Sequence, residues 1–64
     1  MTDYKETIAL FKRFGVEHVT QDTPAGPCIL LYQGMKKVAG HYMLYLKFSY
    51  DLEEGFIEVG AYEE

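Results

Sequence analysis

Cysteine is nearly absent from this chain. Cys28 is the single cysteine among 64 residues, so no intramolecular disulfide can form. Histidine is almost as scarce. His18, Cys28 and His41 are scattered rather than paired at ligand spacing, so the pattern offers no zinc-type site and no cofactor is expected. Basic charge is also in short supply: six Lys and Arg stand against ten Asp and Glu, for a net charge of −4. The basic pairs Lys12-Arg13 and Lys36-Lys37 do not extend into runs. Direct nucleic-acid binding, which needs concentrated basic charge to displace counterions, is therefore not expected. No stretch approaches the roughly 20 apolar residues of a membrane span. The sequence MTDYKETIALF has no cationic leader ahead of an apolar run, so no signal peptide is expected. A lone thiol fits a reducing cytoplasm. No phosphate-cradling glycine loop is present, because Gly34 and Gly40 stand too far apart and Gly55 and Gly60 punctuate strands.

What the chain does have is aromatic surface. Six tyrosines and four phenylalanines make up 16% of the sequence. A single domain, 1–64, of this size buries only about 60% of the surface its unfolded chain exposes. Small domains usually add disulfides, a metal or a partner chain. With the first two missing, an aromatic core, self-association, or both must serve.

The spacing predicts a helix over residues 4–14. Asp3 is the expected N-cap with Glu6 three residues on, and Thr2 is the alternative cap. Tyr4, Ile8 and Phe11 share one face, widened by Leu10 and Phe14, and Gly15 is the expected stop. Residues 16–20 alternate and fit either a short strand or a connector. Residues 21–27, QDTPAGP, read as a loop. Residues 28–33, CILLYQ, read as a strand whose facing stays open. Residues 34–40 read as a loop or a frayed strand end carrying Lys36 and Lys37.

Residues 41–62 read as an antiparallel hairpin. Tyr42, Leu44, Leu46, Phe48 and Tyr50 alternate with Met43, Tyr45, Lys47, Ser49 and Asp51. Ile57, Val59 and Ala61 alternate with Phe56, Glu58, Gly60 and Tyr62. A four-residue loop over 52–55, with Gly55 left-handed, sets Tyr50 against Ile57, Phe48 against Val59 and Leu46 against Ala61. The expected core is Ile8, Phe11, Phe14, Leu44, Leu46, Phe48, Ile57, Val59 and residues of the 29–32 strand. One helix covers one face, so Met43, Tyr45, Phe56, Glu58 and Tyr62 are expected on an open outer face, with Lys47 diagonal to Glu58. The fold class is α+β: one N-terminal helix packed on a three- or four-stranded antiparallel sheet.

Exposed aromatics in a contiguous patch point to a protein contact. The expected activity is thus a non-enzymatic protein-interaction module, bound through Met43, Tyr45, Phe56, Glu58 and Tyr62 to a protein partner or to itself. An alternative uses Asp51, Glu53, Glu54 and Glu58 as an acidic surface that occupies the basic nucleic-acid site of a target. Cysteine chemistry would need a histidine beside Cys28, which lies in an apolar run where cysteine usually packs as a small hydrophobe.

The helix ending in Phe14-Gly15-Val16-Glu17, the LLY strand and GHYMLYLKFSYDLEEGFIEVGAYEE together resemble small helix-plus-meander proteins of bacteriophage genomes. The likeness covers most of the chain as a pattern and carries no catalytic motif. It implies an accessory protein or host-directed inhibitor acting in the host cytoplasm.

Overall fold

The computed structural model describes residues 1–32 and 44–63. Among them are one helix, α1 (Asp3–Arg13), and four strands, β1 (Val19–Thr23), β2 (Gly26–Tyr32), β3 (Leu44–Tyr50) and β4 (Phe56–Glu63). The strands form one antiparallel sheet in the order β1-β2-β3-β4. The α+β class is as expected. The 34–40 loop, His41, Tyr42 and Met43 lie outside the described residues.

Helix α1 starts one residue earlier than expected. Thr2 is its cap, accepting from the Lys5 amide, while Asp3 is freed to accept from the Phe56 amide at 2.8 Å. At the other end Gly15 takes φ +67°, and Val16 and Gly15 donate to the carbonyls of Phe11 and Lys12. That double bond pattern closes the last turn and turns the chain towards β1.

The 21–27 segment is not a loop. β1 runs on to Thr23, and Pro24-Ala25 alone turn the chain into β2. The Thr23 hydroxyl donates to the Gly26 carbonyl and accepts from the Ala25 amide, which replaces the turn residues' missing ladder bonds. Gly26 sits at φ +138°, and a Cβ there would lie 2.2 Å from the Tyr50 carbonyl oxygen. Only glycine fits such an approach.

The β3–β4 turn reaches the expected register by another route. The Asp51 amide donates to the Gly55 carbonyl, so the loop is three residues, 52–54. Glu54, not Gly55, takes the left-handed conformation, at φ +69°. Tyr50 then pairs with Phe56, and a bulge leaves Ile57 without a partner before Ser49 meets Glu58. From there Phe48 faces Val59, Leu46 faces Ala61 and Tyr45 faces Tyr62. The expected pairing of Tyr50 with Ile57 is thus replaced by Tyr50 with Phe56.

The helix lies over the face of Ile29, Leu31, Leu46, Phe48 and Tyr50. Phe11 meets Phe48 edge-on at 5.7 Å and Tyr4 meets Tyr50 at 5.3 Å. Among the described residues the deepest apolar side chains are Ile29, Cys28, Tyr50 and Leu30. Tyr50 is 2% exposed and its hydroxyl donates to the Thr7 hydroxyl at 2.8 Å. Burial raises its pKa above the phenol's ordinary value. Cys28 and Leu30 face away from the helix, between Gln21 and Ser49 and between Val19 and Lys47. They are only 2% and 5% exposed, so over β2 the outer face is not open as expected.

Four expected core residues are exposed: Phe14 by 66%, Ile57 by 54%, Val59 by 49% and Leu44 by 41%. The reason is geometric. An 11-residue helix is about 16 Å long. Its start is pinned to the β3–β4 turn, where the Tyr4 amide donates to the Glu54 carbonyl and the Thr2 hydroxyl to the Glu54 carboxylate. Its end leans towards β1, where Phe11 meets His18. Crossing the sheet on this diagonal, it leaves the far half of β4 bare.

Candidate protein-interaction surface

The outer face carries alternate residues of all four strands. One row across it consists of tyrosine: Tyr32 on β2 pairs with Tyr45 on β3, which pairs with Tyr62 on β4. Neighbouring rings lie 5.7 and 5.6 Å apart, tilted in the first pair and stacked at 22° in the second. Tyr45 is half-buried between its neighbours, while Tyr32 and Tyr62 stay 38% and 43% exposed. The Lys47 ammonium stands 5.8 Å from the Tyr62 ring centre, placing a cation over an aromatic face rather than beside Glu58. Each ring in the row supports the next, so the row holds a fixed shape at small cost in side-chain freedom.

Three expected site residues therefore share the outer face: Tyr45, Tyr62 and Glu58, the last opposite Ser49. Phe56 does not join them. The bulge at Ile57 interrupts the alternation and sets Phe56 on the helix side, its ring 5.8 Å from Tyr50. Met43 lies outside the described residues. Tyr32 belongs to the row and was missed. Its signal was the alternation of Cys28, Leu30 and Tyr32, which needed only the facing of that strand.

The acidic turn is largely occupied with its own structure. One Asp51 carboxylate oxygen accepts from the Glu53 and Gly55 amides, both at 2.9 Å. The Glu54 carboxylate holds the Thr2 hydroxyl at 2.7 Å. Of the three turn acids, Glu53 alone has no such bond among the described residues.

Cys28 and His18 are not brought together. Cys28 is buried on the outer face, whereas the His18 ring lies beside Phe11 on the helix side with Nδ1 2.9 Å from the Val16 carbonyl. An open groove at the start of β1, lined by Val16, Glu17, His18, Val19 and Tyr32, offers one imidazole and one carboxylate. No group of three or more His, Cys, Asp or Glu converges to hold a metal among the described residues. Nor, among them, is any helix long and apolar enough to cross a membrane.

Comparisons of the chain with protein-family models, curated proteins and solved structures give no match.

Proposed function

We propose that the chain is a non-enzymatic protein-interaction module, and that its contact surface is the outer sheet face built on Tyr32, Tyr45 and Tyr62. The observation that carries this reading is the tyrosine row itself. Three rings in register, two of them over a third exposed, form a ready aromatic anchor surface with hydroxyls at its rim. Lys47 and Glu58 flank it and supply charge of both signs. A protein partner suits such a mixed surface better than nucleic acid, which calls for basic charge that this chain lacks. On this reading the protein acts in the cytoplasm, as an accessory protein or an inhibitor of a host protein, without a cofactor.

The acidic-inhibitor reading draws less support. Asp51 and Glu54 spend their hydrogen-bonding capacity on the turn and the helix start.

The test compares capture from host lysate by the intact protein and by Tyr32→Ser/Tyr45→Ser. The expected result is a discrete partner retained by the first and lost by the second, with circular dichroism unchanged. A partner held equally by both would contradict the assignment.

A further inference from the structure

We propose that β4 is also a self-pairing edge, and that its occupant is the β4 strand of a second copy of this chain. In the resulting dimer two four-stranded sheets join into one of eight strands, with both helices on the same side.

The proposal rests on what the helix leaves bare. β4 is eight residues long, without proline or lysine, and among the described residues no strand pairs with its outer edge. Such an edge is a template for another strand. On the helix side of that edge Phe56 and Val59 are about half exposed, and so is Ile57 at the bulge between them. The helix shows a matching flank. Leu10 and Phe14 follow Asp3 at spacings of seven and four, so all three lie on one flank. Asp3 holds the amide of Phe56, which identifies that flank as the β4 side. Leu10 is 48% and Phe14 66% exposed there. Exposed apolar side chains of α1 and β4 therefore lie on the same side of the molecule.

A second copy covers those side chains better than a lone extended peptide. A peptide strand would satisfy the edge but leave Leu10 and Phe14 uncovered. A two-fold axis through the sheet near Val59 sets β4 antiparallel to its copy. Val59 then meets its own counterpart, Ile57 meets Ala61, and each helix flank faces the other across the seam. Charge permits this: Glu58 points to the outer face, away from the apolar side of the seam. Area permits it as well. The exposed parts of Leu10, Phe14, Leu44, Phe56, Ile57 and Val59 are on the order of 600 Å² per chain, and the strand backbone adds to this, against about 800 Å² per partner in a standard interface. The tyrosine row lies on the other face, so this pairing does not depend on the function proposed above.

Light scattering and sedimentation on the intact chain test it. The wild type should run as a dimer of twice the 7.4 kDa chain. Val59→Lys puts a charge at the seam and should raise the dimer dissociation constant by about 100-fold or more. Leu10→Glu, on an exposed helix position that cannot disturb the sheet, should weaken the dimer as well. Tyr32→Ser/Tyr45→Ser should leave it intact. Val59→Cys should give a covalent dimer on mild oxidation, Cys28 being buried. A wild type that stays monomeric at millimolar concentration overturns the proposal. So does a dimer that survives Val59→Lys and Leu10→Glu but is lost in Tyr32→Ser/Tyr45→Ser, since that contact would belong to the outer face.

Discussion

β1 and β4 are the two edges of the sheet among the described residues, and they are built from opposite materials. β1 has five residues, VTQDT, with Val19 its one large apolar side chain. β4 has eight, FIEVGAYE, most of them apolar. A short polar strand offers little to a stray chain, and an aspartate on an edge discourages pairing. β4 carries two acids, Glu58 and Glu63, and a bulge at Ile57, but it is longer and far more apolar. The helix makes the difference larger, since its end leans towards β1 and leaves the far half of β4 bare. An edge left long, apolar and uncovered is an edge prepared for a neighbour.

Variants at the two edges should therefore behave unequally. The largest effect belongs to Gly26→Ala, beside β1. Its Cβ would strike the Tyr50 carbonyl at a backbone angle that alanine resists, and the loss of stability should be about 3 kcal/mol or more in urea melts. That contact joins the start of β2 to the end of β3, so the loss is one of the monomer fold rather than of either edge. Next comes Val59→Lys on β4. It should cost the monomer fold less than about 1 kcal/mol while weakening the dimer by about 100-fold. The matched Gln21→Lys on β1 should leave both unchanged. If the two lysines act alike, the contrast between the edges fails.

A smaller effect should follow Thr2→Ala, which removes the helix cap and the bond to Glu54 together. A loss of about 1 kcal/mol is expected, with the midpoint shift read by circular dichroism. If freeing the helix start also alters dimer strength, the helix flank is confirmed as part of the contact. The smallest effect is an alkaline one. Tyr50 holds its proton more tightly when folded than when unfolded, because burial disfavours the phenolate. Its contribution is complete below the unfolded phenol's pKa of about 10 and falls as pH rises through the higher folded value. Thermal melts from pH 9 upward should show that decline in the wild type and less of it in Tyr50→Phe.

Much of this architecture was legible in the sequence. The helix was legible to within one residue at each end, Thr2 and not Asp3 being its cap, and the register of Phe48 with Val59 and Tyr45 with Tyr62 followed from alternation. Loop length was not legible, because a three-residue loop plus a one-residue bulge gives the same register as a four-residue loop. That equivalence hid the turn of Phe56 to the helix side. The QDTPAGP segment misled because turn-forming residues can also end one strand and begin the next when a threonine hydroxyl closes the corner. Tyr32 stayed out of the site because CILLYQ is apolar on both faces, so alternation alone gave it no side. The exposure of Val59 and Phe14 depended on the diagonal of the helix, which is set by contacts between Glu54 and residues some fifty positions away. The tyrosine row needed all three of these strands in place before it could be seen.

Amide hydrogen exchange as a function of protein concentration tests the central contrast most directly. Amides of β4 should gain protection as the chain passes from micromolar to millimolar concentration, while amides of β1 should exchange at the same rate throughout. Equal behaviour of the two edges, or protection gained at β1 instead, would contradict the account.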